Sequence, residues 1–169
     1  ITGTNGKSTT ALLLFKILLT HKKKAKLIGN IGKPMLSTNK ASASTIFVIE
    51  ASSYQLEYSQ YFKTDYAIIL NISPDHLERH GNIKNYTRAK FKLITNQDKN
   101  SYSYIDRNNK HLEKEVSRGN FKSKLTKVKI LNFKRIKKYI HNPYFHNLNN
   151  IQNLSFIFEL SKQLKLKNK

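Results

Sequence analysis

The sequence predicts an α/β fold in which a mostly parallel β-sheet carries helices on both faces. Two runs, residues 45–49 and 66–70, are continuously apolar rather than alternating, which is typical of strands that helices cover on both sides. Segments with helical spacing separate such runs, and a glycine-rich segment leads directly into the first helix. Because parallel strands end at the same edge of a sheet, the polar residues that follow them are expected to meet there.

The individual elements follow from apolar spacing and from the residues that bound each segment. The pattern predicts a helix over residues 7–21, a strand near 26–28, a loop or weak helix over 36–44, strands over 45–49 and 66–70, a helix over 85–94, a strand over 101–105, a helix over 108–118, a strand over 127–133 and a helix over 148–164.

The glycine-rich segment, residues 2–9, has the composition of a phosphate-binding loop. Its glycines allow a tight turn that points several N–H groups at one anion, and the helix that follows turns its positive end the same way. Lys7 adds a charge and Ser8 a hydroxyl for Mg²⁺. The match to the general P-loop pattern is incomplete, because Ile1 stands where that pattern has glycine. The alternative is a turn that only caps a helix.

The start of the chain suggests a fragment whose fold is truncated at its first strand. A phosphate-binding loop follows a buried strand, and neither such a strand nor an initiator Met precedes residue 2. No apolar run has the length of a membrane span and no signal peptide is recognisable, so membrane insertion is not expected. The absence of cysteine is compatible with a cytoplasmic location.

The chain is strongly basic, with 31 Lys and Arg against 10 Asp and Glu and a formal net charge of +21. Such an excess of positive charge is typical of proteins that bind nucleic acid. The excess is denser in the second half of the chain, however, where scattered lysines stand among asparagines and isoleucines and chemical motifs are absent. This distribution is better explained by an AT-rich coding sequence, which enriches Lys, Asn and Ile, than by a surface that binds nucleic acid. No nucleic-acid partner is therefore expected.

Two polar residues follow the two apolar runs and are candidate metal ligands. Glu50 ends one strand, where an unpaired carboxylate would be costly, although it could also cap a helix or pair with a lysine. His76 follows the other strand, beside Asp75, which could orient its imidazole. His21 and His80 have no such context and are interpreted as surface or packing residues.

Several segments together resemble the Mur ligase family. The resemblance extends from Ile1 to about Leu164, the central ATPase domain of that family, and the matching motifs stand in the family's order. They are residues 2–9, Gly29-Asn30-Ile31-Gly32, residues 50–57, residues 71–77, Tyr86-Thr87-Arg88-Ala89-Lys90 and residues 146–150. The second and third segments are most similar to the branch that adds D-glutamate.

The resemblance implies an ATP-dependent, ADP-forming amide ligase of peptidoglycan synthesis, and thus of cell shape and division. Its substrates would be UDP-N-acetylmuramoyl-L-alanine and D-glutamate, joined through an acyl phosphate. Residues 1–169 would form the central ATP-binding domain, without the family's N-terminal UDP-binding and C-terminal amino-acid-binding domains. The chain alone is therefore expected to be inactive, and the full-length enzyme to be a monomer.

The resemblance also implies roles for individual residues. ATP would be bound by Gly3, Thr4, Asn5, Gly6, Lys7, Ser8, Thr9, His146, Asn147 and Asn150. A first Mg²⁺ would be bound by Ser8 and Glu50, and a second by His76. The muramoyl-alanine substrate would contact Asn30, Ser52 and Gln55. For Asn147, an N-terminal helix cap is the alternative.

Lys90 would be the least expected member of this site, because an ammonium group does not bind Mg²⁺. From the residues alone, a solvated helix lysine is the simpler interpretation. In the family the matching lysine is carbamylated by CO₂, which turns the cation into a carboxylate-like ligand for the second metal. The resemblance therefore implies that Lys7, His76 and Lys90 are catalytic.

Three other hypotheses remain open at this stage. The first is another Mur ligase or a folylpolyglutamate synthase, against which residues 29–32 and 52–55 argue. The second is a basic P-loop ATPase that acts on nucleic acid, which predicts clustered basic and aromatic residues and strongly salt-dependent binding. The third is a non-catalytic relative, against which the presence of Lys7, Glu50, His76 and Lys90 argues.

Overall fold

A computed structural model describes residues 1–34, 37 and 41–166. Of the loop predicted over residues 36–44, residues 36 and 38–40 lie outside the described residues. The elements, in chain order, are α1 (Lys7–Thr20), β1 (Ala25–Gly29), β2 (Ile46–Glu50), α2 (Ser53–Tyr58), β3 (Tyr66–Ile69), α3 (Leu77–His80), α4 (Ile83–Thr95), β4 (Tyr102–Asp106), α5 (Lys110–Val116), β5 (Lys124–Val128), α6 (Phe133–Ile136), 3-10 helices Lys137–Tyr139 and Pro143–His146, and α7 (Leu148–Gln163).

The predicted α/β class is confirmed, since parallel strands alternate with helices along the chain. The strands form two hydrogen-bonded sheets, one of β1 and β2 and one in the order β3-β4-β5. By its internal contacts the chain divides into two compact units. The first unit contains residue 1, residues 6–50 and the chain from residue 130, and the second contains residues 2–5 and 51–129. That residues 1–169 form a single domain stays a prediction.

The first unit is built on a pair of parallel strands covered by a helix. β1 and β2 run in register from Ala25 opposite Ile46 to Gly29 opposite Glu50. Helix α1 packs on both strands and on α7, and it buries Ala11, Leu14 and Leu18. The leucine-rich sequence of α1 therefore serves two packing surfaces, which explains why its apolar residues do not form a single stripe.

The second unit contains a three-stranded parallel sheet and the helices packed around it. Its apolar core joins the sheet to α2, α4 and α5, and it consists of Ala51, Leu56, Ala67, Ile69, Ile72, Tyr86, Phe91, Leu93, Ile94, Ile105 and Leu112. Thr2 forms a parallel bridge with Ile69, which extends the sheet by one residue pair beyond β3. Helix α4 presents a strongly amphipathic sequence to this core, as its spacing predicted.

One predicted strand was wrong in position. The apolar run suggested a strand over residues 127–133, whereas β5 begins at Lys124 and ends at Val128. The chain then enters the first unit, where the N–H of Leu131 donates to Ser155 Oγ at 2.9 Å and α6 begins at Phe133. The apolar residues after Val128 were thus mistaken for a continuation of the strand.

None of the helices among the described residues is both long and apolar enough to cross a lipid bilayer.

The N-terminus of α4 generates a test of the fold. The Asn82 side chain caps this helix by accepting a hydrogen bond from the N–H of Asn85 at 2.9 Å. We expect Asn82→Ala to lower the free energy of unfolding by about 1 kcal/mol, because that N–H loses its partner. Urea unfolding measures this difference, and Asn108→Ala, at an exposed position, serves as the control. Equal midpoints for Asn82→Ala and the wild type would contradict the prediction.

Candidate nucleotide and metal site

The start of α1 has the geometry of an anion site. Gly6 precedes the helix with a left-handed backbone, at φ 82°. A Cβ at this position would lie 2.4 Å from Asn153 Oδ1, so only glycine fits. The N–H groups of a first helical turn have no partners within their helix, and together with the helix dipole they favour negative charge. Lys7 is half-buried and Ser8 exposed in that turn, as a phosphate-binding role requires.

Residues 2–5 belong to the second unit, where backbone hydrogen bonds hold them along β3 and the residues that follow it. The Thr2 N–H donates to Ile68 O at 2.8 Å, and the Thr4 N–H donates to Asn71 O at 2.9 Å. Asn71 also uses its side chain: its Oδ1 accepts from the Asn5 N–H at 2.8 Å, and its Nδ2 donates to Asn5 O at 3.1 Å. Asn71 therefore fixes the backbone of Asn5 from both sides. Sequence reasoning gave it no role, although an asparagine just after a buried strand was a usable signal.

Glu50 is a buried carboxylate with one oxygen left unpaired. Its side chain is 1% exposed, and Asn30 Nδ2 donates to its Oε1 at 3.1 Å. Among the described residues, none donates a hydrogen bond to its Oε2, which is also buried. An unpaired buried carboxylate oxygen is costly, and a divalent cation is the type of partner that offsets this cost. The structure therefore fits the predicted Mg²⁺ at Glu50.

Close packing between β1 and β2 sets the position of this carboxylate. Gly29 lies opposite Glu50 in the parallel register, and the Asn30 N–H donates to Glu50 O at 2.9 Å. Gly29 has φ 109°, and a Cβ there would come within 2.2 Å of Glu50 O. The predicted substrate residue Asn30 is thus a direct partner of the predicted metal ligand Glu50.

His76 lies in the second unit, at the start of α3. Its backbone is left-handed, at φ 51°, and its side chain is 45% exposed. Nε2 lies 3.5 Å from Asp75 Oδ2 and Nδ1 lies 3.7 Å from Glu78 Oε1, so carboxylates flank both ring nitrogens. The Tyr54 ring meets the imidazole edge to face at 5.2 Å. The exposed imidazole can therefore be reached by a ligand, as a metal-binding role requires.

Lys90 is 2% exposed, which the sequence did not reveal. Its Nζ donates to Thr2 Oγ1 at 3.4 Å and lies 4.7 Å from the centroid of the Tyr86 ring. A lysine in such surroundings is not the solvated helix lysine of the simpler interpretation. Carbamylation of Lys90, which the family resemblance implies, stays a prediction.

Tyr86, one helical turn before Lys90, is a residue whose role sequence reasoning missed. Its side chain is fully buried, and its hydroxyl lies 3.1 Å from Thr4 Oγ1. The Thr4 Oγ1 also lies 3.2 Å from Ser73 O and 3.1 Å from the Ser73 backbone N, so this hydroxyl joins Tyr86 to the segment after β3. Burial raises the pKa of Tyr86 to about 12, which keeps the hydroxyl protonated. The i, i+4 spacing to Lys90 was the available signal.

Ser52 and Gln55 form a capping box at the start of α2. The Gln55 N–H donates to Ser52 Oγ at 3.2 Å, and the Ser52 N–H donates to Gln55 Oε1 at 2.9 Å. His80, interpreted as a surface or packing residue, is buried, with Nε2 3.0 Å from Ser53 Oγ. The substrate contacts predicted for Ser52 and Gln55 stay predictions.

The three residues expected at the adenine nucleotide make hydrogen bonds within the first unit. His146 Nε2 lies 3.0 Å from Ile140 O. Asn147 Oδ1 accepts from the Asn150 N–H at 2.9 Å, so the helix-cap alternative is confirmed. Asn147 Nδ2 and Asn150 Nδ2 both donate to Tyr144 O, at 3.0 and 2.7 Å. Contact of these residues with a nucleotide stays a prediction.

The predicted site residues are divided between the two units. The first unit holds Gly6, Lys7, Ser8, Thr9, Asn30, Glu50, His146, Asn147 and Asn150. The second unit holds Gly3, Thr4, Asn5, Ser52, Gln55, His76 and Lys90. Within the part of the chain that the structure describes, no group of three or more His, Asp and Glu side chains is placed to hold a metal. A bound Mg²⁺ would therefore need water, hydroxyl or phosphate oxygens as further ligands, which is its usual preference.

The bond between Tyr86 and Thr4 generates a test in alkaline solution. The pKa of Tyr86 is near 10 in the unfolded chain and about 12 in the folded protein. The stability that Tyr86 contributes is therefore fully present below pH 10 and is lost as the pH rises to 12. We expect Tyr86→Phe to cost about 1 kcal/mol at pH 8 and to lose less stability than the wild type between pH 10 and 12. Urea unfolding at each pH measures both quantities. Parallel pH curves for the two proteins would contradict the assignment.

Comparison with known proteins identifies relatives of this chain. The family profile of the Mur ligase middle domain matches residues 1–162. The UDP-N-acetylmuramoylalanine--D-glutamate ligase of Caldicellulosiruptor bescii is 46% identical over 110 residues, which are 64% of this chain and 24% of that protein. The ligase of the same name from Rickettsia bellii is 42% identical over 109 residues, again 64% and 24%. The chain thus spans about a quarter of the length of these relatives.

Solved structures show the same fold. The MurF ligase of Thermotoga maritima, in complex with ADP, superposes with a TM-score of 0.73 at 18% identity, over 100% of this chain and 45% of that one. A MurF structure from Acinetobacter baumannii gives 0.70 at 17% identity, over 98% and 42%. Since the profile covers nearly the whole chain, the chain belongs to the Mur ligase family.

Proposed function

We propose that this chain is the central ATP-binding domain of an ATP-dependent ligase that adds D-glutamate to UDP-N-acetylmuramoyl-L-alanine in peptidoglycan synthesis. The names of the relatives reported above support this substrate pair. The segments 29–32 and 50–57 support the same branch of the family. A cytoplasmic location would suit these nucleotide-linked substrates.

The observation that carries the proposal is the unpaired oxygen of Glu50. Glu50 is 1% exposed and its Oε2 has no donor among the described residues, so a bound cation would offset the cost of burying this carboxylate. Asn30 holds the other oxygen, which fixes the direction of the free one. Glu50 and the hydroxyl of Ser8 would hold a Mg²⁺, which would screen the charge of the nucleotide phosphates when bound.

The phosphates would bind at the first turn of α1. Gly6 opens the turn, the positive end of the helix dipole lies there and Lys7 adds a positive charge. Positioning and charge neutralisation of this kind account for most of the catalysis in phosphoryl transfer. Nucleotide contacts of Gly3, Thr4 and Asn5, which belong to the second unit, stay predictions.

The second unit would contribute the carbamylated lysine. The neutral amine of Lys90 would attack the carbon of CO₂, forming a C–N bond and releasing one proton, so that the side chain becomes an anionic carbamate. Thr2 Oγ1 lies 3.4 Å from Nζ and would donate to a carbamate oxygen. The carbamate and His76 would hold a second Mg²⁺.

The proposed reaction has two steps. An oxygen of the alanine carboxylate attacks the γ-phosphorus of ATP, which breaks the bond to the β-phosphate oxygen and releases ADP. The amine of D-glutamate then attacks the carbonyl carbon of the acyl phosphate, the amide forms, and phosphate leaves with the amine losing a proton. Residues 1–169 would supply the ATP site, while flanking domains would bind the UDP moiety and D-glutamate, so the chain alone would not ligate.

Ligation by a full-length enzyme containing this chain tests the proposal through Lys90. We expect wild-type protein to join radiolabelled D-glutamate to UDP-N-acetylmuramoyl-L-alanine, and Lys90→Ala to lose on the order of 100-fold or more in rate. Acetate and other short carboxylic acids should restore part of the loss, because they replace the carbamate. Lys84→Ala removes an exposed lysine of the same helix and should leave the rate unchanged. Normal turnover by Lys90→Ala would contradict the carbamate role.

Metal binding at Glu50 can be tested without turnover. Saturating Mg²⁺ and ADP should raise the thermal midpoint of wild-type protein, by an amount equivalent to about 3 kcal/mol at a hundredfold excess over Kd. Glu50→Gln should abolish the Mg²⁺-dependent part of this shift, because the amide has no charge to offer. Glu159→Gln, which removes a surface partner of Lys162, is the matched control. An unchanged Mg²⁺-dependent shift in Glu50→Gln would rule out the site.

A further inference from the structure

Tyr144 is an exposed aromatic residue beside the first turn of α1. It lies in the 3-10 helix Pro143–His146, and it is 55% exposed. Its hydroxyl lies 3.3 Å from Oγ1 of Thr9, which comes directly after Lys7 and Ser8 in the first turn of α1. An aromatic ring therefore stands next to the helix end at which phosphates would bind.

The backbone of Tyr144 is fixed by three amide side chains. Its N–H donates to Asn142 Oδ1 at 3.0 Å. Its carbonyl oxygen accepts from Asn147 Nδ2 at 3.0 Å and from Asn150 Nδ2 at 2.7 Å. Phe145 meets the ring edge to face, with the ring centroids 5.1 Å apart. The backbone of Tyr144 is thus held by three amides, and its ring is held by the contacts of its hydroxyl with Thr9 and of its edge or face with Phe145.

A fixed and exposed aromatic ring can bind a flat ligand by stacking. Aromatic side chains stack on nucleobases through their faces, and a ring that is held in place before binding loses little conformational entropy. In the proposed site the phosphates lie at the first turn of α1, and Thr9, which Tyr144 contacts, belongs to that turn. The hydroxyl contact to Thr9 keeps the ring beside it.

We infer that the ring of Tyr144 is the stacking platform for the base of the bound nucleoside triphosphate. This inference rests on the proposed ATP site and adds a binding residue to it. Asn147 and Asn150 then act as positioning residues, because their amides hold the carbonyl of Tyr144. The motif at residues 146–150 would therefore influence nucleotide affinity through a neighbouring aromatic residue.

Calorimetric titration of the full-length protein with ATP and with inorganic triphosphate tests the inference. Tyr144→Ala should weaken ATP binding roughly tenfold and leave triphosphate binding unchanged, because only ATP carries a base. Tyr144→Phe keeps the ring and should stay within about twofold of wild type. Tyr139→Ala removes a 71%-exposed tyrosine of the same unit and is the matched control. Lys7→Ala should weaken both ligands.

A double mutant separates the positioning role of Asn147 from direct contact with the ligand. If Asn147 acts through Tyr144, Asn147→Ala should weaken ATP binding in wild type and have no further effect in Tyr144→Ala. An additional loss in the double mutant would overturn the positioning role.

The remaining outcomes distinguish the inference from the proposed function. ATP affinity that is unchanged in Tyr144→Ala, a Tyr144→Phe variant as weak as Tyr144→Ala, or an equal loss for triphosphate would overturn the platform while the ATP site stands. Wild-type protein that binds neither ATP nor triphosphate would overturn the proposed function itself.

Discussion

Parallel pairing of β1 with β2 is the constraint on which the candidate site of the first unit depends. In a parallel pair the carboxyl ends of both strands reach the same edge, so that the residues ending one strand meet those that follow the other. Gly29 lies opposite Glu50, and Asn30 therefore reaches the Glu50 carboxylate. An antiparallel pair would have separated these residues by the length of a strand. The parallel direction of β1 and β2, rather than a local motif, brings the amide of Asn30 to the carboxylate of Glu50.

The second unit uses the same principle with different chemistry. Its sheet is also parallel, and the polar residues after β3 hold Thr4 and Asn5 in place. Lys90 is buried against Tyr86 on the helix that packs on this sheet. The first unit thus buries the carboxylate of Glu50 at 1% exposure, and the second buries the amine of Lys90 at 2%. Burying such groups works against stability, and their presence is more easily explained by ligand chemistry than by folding.

Periodicity and residue type predicted most of the helices and strands, because each is a local property of ten to twenty residues. They could not place the end of β5, since the apolar residues after Val128 join the other unit. Motifs identified Lys7, Glu50, His76 and Lys90, but not the burial of Lys90 or the bond between Tyr86 and Thr4, which joins residues far apart in the chain. Likewise, nothing local indicates that Asn147 and Asn150 share one carbonyl as acceptor. Partners of this kind exist only after folding.

The tight approach at Gly29 limits how this sequence can change over time. A single methyl group at that position would occupy the space of the Glu50 carbonyl oxygen, so accepting alanine would require the two strands to part. The acidic side chain would then shift together with its own backbone. A mutation of Gly29 would therefore displace Glu50, the most deeply buried acidic residue among those described. A second substitution elsewhere could not easily restore the position of Glu50.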